Sequence, residues 1–322
     1  MLFDTIKVSK WLLAMCVTGG LGCDEPSVAH DDDDEEDFTP VDDDVTFRTV
    51  VDNGIELNGF EVNGWKVNGW KVNGFIVGVL DAAIAQFTDL QFHSSSLLKV
   101  WHPASGTWKI GAQLNGMTFD TEFEVDGNPL QGQIKIVNVV QSSQGSDVYF
   151  YTVQTNSSGS WQSACFDGAG NPTEAIAVEG NFDSTTGTRT SDIGLTWACR
   201  GAAIAKAIEW GYRPWVNGTY KNYHQAAVRM IRADYCGNGE HHTSNGNPID
   251  IADGLGIQTF DSAWNIEAGW GVNGAVCLNT PRKLYWPRTS INPCSSLPTC
   301  GTNPIAQNGA LLATKVVPNS NM

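Results

Sequence analysis

The chain has little positive charge. Its 19 Lys and Arg stand against 35 Asp and Glu in 322 residues, a formal net charge of -16. A field of that sign repels nucleic acid and anionic membrane surfaces, so no nucleic-acid partner is expected. Transmembrane character is lacking too: the N-terminal apolar run "WLLAMCVTGGLG", Trp11 to Gly22, is shorter than the roughly 20 residues a spanning helix needs. No Gly-x-Gly-x-x-Gly opens a helix between residues 80 and 196, and no Gly-x-x-x-x-Gly-Lys-Ser/Thr occurs, which removes the usual signatures of nucleotide cofactors. His-Glu-x-x-His and Cys-x-x-Cys are absent as well. No cofactor and no metal site are therefore expected.

What is present begins with an address. Lys7 and Lys10 precede the apolar run, which has the size of a signal-peptide core. The run ends at "GGLGC", and a cysteine directly after small residues resembles the bacterial lipoprotein box, with Cys23 as the lipidated residue. Gly22 suits that box, while Gly20 stands where an aliphatic residue is usual. Ordinary cleavage nearby is the alternative, but no Ala-x-Ala stands there. The following "DEPSVAHDDDDEEDFTPVDDD" repels itself and offers almost nothing to bury, so it reads as an extended acidic tether. Membrane contact is expected through the lipid anchor only.

Asn-Gly then recurs every five residues in "NGIELNGFEVNGWKVNGWKVNGFIV", Asn53 to Val77. That period fits neither a helix nor simple strand alternation. It suits a chain that turns at each Asn-Gly and resembles a short pentapeptide-like ribbon. Such a ribbon would lay Phe60, Trp65, Trp70 and Phe75 on the next domain; Trp65 and Trp70 are also candidates for stacking a sugar. From Leu80 to Thr196, segments such as "LLKVWH", "TWKIGAQL", "MTFDTEFEV", "QIKIVNVV", "DVYFYTVQ" and "DIGLTW" are short, β-branched and aromatic, and broken by turn residues. They predict an antiparallel sandwich or barrel. After Cys199, Ile204 and Ile208 in one segment, and Ala226, Met230 and Ala233 in the next, fall at helical spacing, and Gly211 with Pro214 ends the first helix.

The stretch "MIRADYCGNGEHHTSNG", Met230 to Gly246, gathers Asp234, Cys236, His241 and His242. Together with "CRGAAIAKAIEWGYRPW" and "NPIDIADGLGIQ" it resembles the ADYC domain of bacterial exported proteins, over roughly residues 165–277. The resemblance implies an exported, disulfide-stapled module and no known activity. Members carry two further cysteines where this chain has Ala207 and Ala227, which implies one lost disulfide and a framework of paired cysteines.

With Cys16 in the signal and Cys23 as anchor, Cys165, Cys199, Cys236, Cys277, Cys294 and Cys300 remain. Six cysteines allow 15 connectivities. The short "CSSLPTC" loop favours Cys294 with Cys300 and the β-to-α junction favours Cys165 with Cys199, leaving Cys236 for Cys277. A disulfide at Cys236 competes with a thiolate nucleophile activated by His241 or His242, and a zinc site would draw on His224, Asp234, His241 and His242. A third reading makes Asp234 and His242 an acid-base pair, with Arg232 and Asp250, beside Trp210, Tyr212 and Trp215. Its structural counterpart pairs Arg232 with Asp234 or Asp250 and uses His242 and Thr243 to bond a turn.

The expected architecture is α+β. It comprises a signal peptide (1–22), acidic tether (23–49), Asn-Gly ribbon (50–78), β-rich domain (79–197), small α-rich disulfide-stapled module (198–300) and tail (301–322). The tail's "ALLATKVV" is left as a strand or a loose end. The expected role is binding or structural, at the cell envelope or secreted, toward an unidentified envelope or extracellular ligand. The alternative is an envelope hydrolase of an extracellular glycan or peptide polymer.

Overall fold

A computed structural model describes residues 50–52 and 90–317, apart from 103–104, 126–127, 144, 157–158, 168–169, 184–185, 244–246, 283–293 and 295. The described residues belong to one compact unit. Cys23, Trp65 and Trp70 lie outside them, as do the signal segment, the acidic tether and almost all of the Asn-Gly ribbon.

Among the described residues the strands form three sheets. The first runs β2 (Leu90–Phe92), β3 (Leu98–His102), β4 (Thr107–Ile110). The second is ordered β10 (Arg189–Cys199), β9 (Ala175–Phe182), β7 (Tyr149–Asn156), β6 (Asn128–Gln141), β5 (Thr118–Val125), with β8 (Gln162–Ser163) on β7. The third is ordered β1 (Val50–Asp52), β11 (Pro248–Asp253), β14 (Leu312–Val316), β12 (Asn265–Gly271), β13 (Gly274–Leu278). Every pairing is antiparallel. Helices α1 (Ala203–Glu209) and α2 (Gly218–Arg232) follow β10, and the short α3 (Pro304–Asn308) precedes β14.

Strand periodicity explains the layering. In β9, Ala175 and Ala177 join Leu98 and Val100 of β3 in one core, while Ile176, Val178 and Phe182 join α1, α2 and the third sheet in the other. The second sheet is thus buried on both faces, with the small first sheet on one and the helices on the other. The helices are in turn held against Ile249, Ile251, Trp270, Leu312 and Val316 of the third sheet. Tyr151 pins the first sheet to the second: its hydroxyl accepts from Leu98 N–H at 2.8 Å and donates to Ser96 O at 3.0 Å. Ala207 and Ala227 are fully buried on the two helices that pack together.

The β-rich expectation holds: the described residues between 90 and 199 are mainly antiparallel strand. The helical spacing around Ile204, Ile208, Ala226 and Met230 falls within α1 and α2. Residues 198–300 differ from the α-rich expectation, because β11, β12 and β13 occupy their second half. The signal was hidden physically: "NIEAGWG" is buried on both faces at its centre, so it lacks the polar alternation that marks a half-exposed strand. The tail expected to be a strand or loose supplies β14, which lies between β11 and β12.

One titratable group inside this core yields a measurable consequence. His224 is fully buried on α2, its ring 5.8 Å from Phe182 and its Nε2 3.2 Å from Ile204 O. Burial, reinforced by Arg189, lowers it to about 3. The folded state therefore refuses a proton that the unfolded chain accepts below about 6.5, so this contribution is complete above that pH and is lost as pH falls toward 3. Urea titrations should show the stability difference between the parent and His224→Leu shrinking steadily between pH 6.5 and 3.

Candidate functional site

Helix α2 ends in a backbone arrangement that sets up the site. Ala233 N–H donates to Met230 O and Asp234 N–H to Arg229 O, at 3.0 and 2.9 Å, with Ala233 in the left-handed region at φ 51°. This closes the helix in the Schellman manner, where glycine is usual. Here the position keeps a methyl group that is fully buried. The reversal swings the next three side chains back beneath α2 and onto the third sheet.

Asp234 is 0% exposed and pairs with Arg229, itself 2% exposed, at 2.6 Å. The same carboxylate oxygen accepts Gly239 N–H at 3.0 Å. Arg229 also donates to Thr186 O, Thr188 Oγ1 and, at 3.4 Å, Val272 O. One guanidinium thereby fastens α2, the β9–β10 loop, the β12–β13 turn and the Asp234 loop.

Tyr235 is buried and stacks on both His242 (5.5 Å) and Trp270 (5.1 Å). Its hydroxyl donates to Glu267 Oε1 at 2.5 Å. Glu267 is a fully buried carboxylate held bidentately by Arg282, at 2.6 and 2.9 Å, and it accepts the Thr314 hydroxyl at 2.7 Å. Trp270 Nε1 completes the network by donating to Thr314 Oγ1 at 2.8 Å. A register shift between Ile266 and Ala268 places Glu267 at a bulge of β12, the kind of irregularity that re-aims a side chain. Burial raises the Tyr235 phenol well above its usual value, and the Glu267 charge adds to this.

Cys236 is disulfide-bonded to Cys294, and the other bridges are Cys165–Cys199 and Cys277–Cys300. The expected Cys165–Cys199 pair is observed. Cys236 with Cys277 and Cys294 with Cys300 are not. The reason is tertiary: Leu278 N–H donates to Pro298 O and Cys300 N–H to Asn279 Oδ1, so residues 298–300 run beside β13 and bring Cys300 to Cys277. The Tyr235 carbonyl accepts Ala275 N–H at 2.8 Å, which lays the motif along the β12–β13 turn. That approach requires glycine, since a Cβ on Gly274 would lie 2.6 Å from Tyr235 O and one on Gly237 2.0 Å from Asn273 O.

Arg232, expected to pair with Asp234 or Asp250, instead donates to Gly239 O at 2.7 Å. Burial lowers it to about 10 despite the nearby Asp234. Asp250 accepts Ser262 N–H and hydroxyl, closing a loop. Of the aromatic residues expected beside Asp234, Tyr212 donates to Asp253, Trp215 donates to Asp147 and the Trp210 carbonyl accepts from Gln258. His242 has its backbone N–H on Arg232 O, and burial lowers its imidazole against the opposing pull of Glu240 and Asp234. Asp234 Oδ1 and His242 Nε2 are buried with no hydrogen-bond partner among the described residues. Among those residues no group of three His, Cys, Asp or Glu is arranged to hold a metal.

Arg229, Glu267, Arg282 and Thr314 were not singled out by sequence reasoning. A signal existed only for Arg229, a cation in the last helical turn five residues before an aspartate past the helix end. The model of one family, described as the ADYC domain, matches residues 111–284. No curated protein and no solved structure matches the chain.

Two outcomes follow from this geometry. Asp234→Asn leaves Arg229 buried without its counter-charge and should cost roughly 3 to 5 kcal/mol of stability by denaturant unfolding. A non-reducing peptide map should recover Cys236 linked to Cys294 and Cys277 linked to Cys300; each bridge stabilises by on the order of 3 to 4 kcal/mol through the loop it closes.

Proposed function

The chain belongs to the ADYC domain family, and from that premise we propose that it is an exported, lipid-anchored protein of the cell envelope with a binding or structural role. The observation that carries this reading is the commitment of the whole motif to internal contacts: Ala233 reverses the chain, Asp234 is ion-paired at 0% exposure, Tyr235 is buried in the Glu267 network and Cys236 is bridged. A reactive group must reach its substrate, and none of these four faces solvent freely. Three disulfides suit an oxidising compartment outside the cytoplasm. Among the described residues no helix is long and apolar enough to cross a membrane, so the membrane attachment in this reading rests on Cys23. The acidic segment after it serves as the spacer, and Trp65 and Trp70 offer one strip for a ligand.

A second reading, an envelope hydrolase acting on an extracellular glycan or peptide polymer, draws on the buried, unpartnered Asp234 Oδ1 and His242 Nε2. It requires an opening of the loop that carries His242. The two readings separate by experiment. In the first, Cys23→Ser shifts the protein from the membrane fraction to the soluble envelope fraction, and polymer-degradation assays stay at background. Recovery of Cys23→Ser with the membranes, or turnover abolished by His242→Ala in a folded protein, would overturn it.

A further inference from the structure

Past Cys236 the chain folds back over the motif and rests there on one histidine ring. We propose that Gly237–Thr243 is a latch that acid opens, with His242 as the group that takes the proton. The inference depends on neither reading above and adds a regulated element to the fold.

The segment is lightly fastened. It has no helix or strand, Asn238, Glu240 and His241 are exposed, and His242 is its one buried residue. Three hydrogen bonds close it on itself: Gly239 N–H donates to Asp234 Oδ2 at 3.0 Å, Arg232 Nη2 to Gly239 O at 2.7 Å and His242 N–H to Arg232 O at 3.1 Å. The His242 ring then lies on Tyr235, with centroids 5.5 Å apart and planes 21° apart. The Cys236–Cys294 bridge fixes the start of the segment. So few contacts, set against a heavily buried motif, let the segment open without unfolding the layers beneath it.

What opposes a proton in the closed segment is the surroundings of the ring. Its Nε2 is buried with no hydrogen-bond partner, and Asp234 Oδ1, also unpartnered, does not bond it. An imidazolium would place a full charge and a second N–H donor in that position. The neighbouring charges do not compensate. Asp234 is committed to Arg229 at 2.6 Å, Glu240 acts from an exposed position, and Arg232 and His241 add proton-binding groups on the same turn. Tyr235 covers the ring as a neutral phenol, and beyond it Glu267 is held by Arg282. Burial therefore outweighs the attraction of Glu240 and Asp234, and His242 is held below its ordinary value. Opening returns the ring to water, where it takes a proton near about 6.5. The latch is thus at full strength above that pH and weakens as pH falls below it. Opening uncovers the Tyr235 ring and the Asp234 carboxylate, a surface presented in acid and covered at neutral pH.

Amide hydrogen exchange of the full chain, read by residue and corrected for the intrinsic pH dependence of exchange, tests the latch. Between pH 7.5 and 5.0 the protection of the Gly239 and His242 amides should fall several-fold, up to about thirty-fold if the closed ring takes no proton at all. The Ala275 amide, held by the Tyr235 carbonyl, should keep its protection. His242→Phe keeps a ring on Tyr235 without a titrating nitrogen and should abolish the pH dependence, while His241→Asn should leave it as in the parent. The parent also gives a measurement that needs no variant: the His242 ring resonances should titrate below about 6.5, over the range in which protection is lost. Protection independent of pH in the parent overturns the latch, as does a ring that titrates at or above its ordinary value. Dependence that survives in His242→Phe or vanishes in His241→Asn assigns the proton elsewhere and overturns it too. Loss of Ala275 protection in step with Gly239 makes the event an unfolding of the motif and overturns it equally.

Discussion

The buried ion pair between Arg229 and Asp234 is the constraint on which the rest of this fold depends. A guanidinium at 2% exposure is tolerable only where its donors are matched, and Arg229 is matched by a carboxylate, a hydroxyl and carbonyls from three separate segments. Losing any one of them raises the cost of keeping the charge buried. The β9–β10 loop, the helix end and the β12–β13 turn are therefore fixed relative to one another by one side chain, and the layers on either side of the helices inherit that fixed spacing.

A second charge cluster repeats the logic on the third sheet. Glu267 reaches the interior through a bulge in β12, where Arg282, Tyr235 and Thr314 satisfy it. Tyr235 belongs to the motif that Asp234 anchors, so the two clusters are mechanically continuous through a dipeptide. Thr314 comes from the last strand of the chain, which means this polar core is completed only after nearly all of the sequence is in place. The disulfides enclose the same region, Cys236 to Cys294 on one side of the motif and Cys277 to Cys300 along β13.

The Ala-Asp-Tyr-Cys motif looks like chemistry because it gathers groups that enzymes use. Each of those groups is instead a different kind of fastening: a left-handed helix stop, a buried counter-ion, a stacked and hydrogen-bonded phenol, and a covalent bridge. Burial separates these readings. A carboxylate at 0% exposure with an arginine partner is committed to the fold, whereas a general base needs access to the proton it removes.

Much of the secondary structure was legible in the sequence, because it depends on neighbours within a few residues. The strands from β3 to β10 follow local β-branched and aromatic composition. α1 and α2 follow the spacing of Ile204, Ile208, Ala226 and Met230, and Cys165–Cys199 follows from a junction between adjacent elements. The third sheet was not legible: β12 is buried on both faces and β14 is a short apolar run in a segment that looks like a tail. The partners of Cys236, Cys277, Asp234 and Glu267 lie between 5 and 58 residues away, and spacing does not rank such choices. Sequence by itself determined the acidic charge, the local elements and the pairing of six cysteines as a set. Only the tertiary structure decided which cysteine meets which and which arginine meets Asp234, because those contacts are selected by how the layers close over one another.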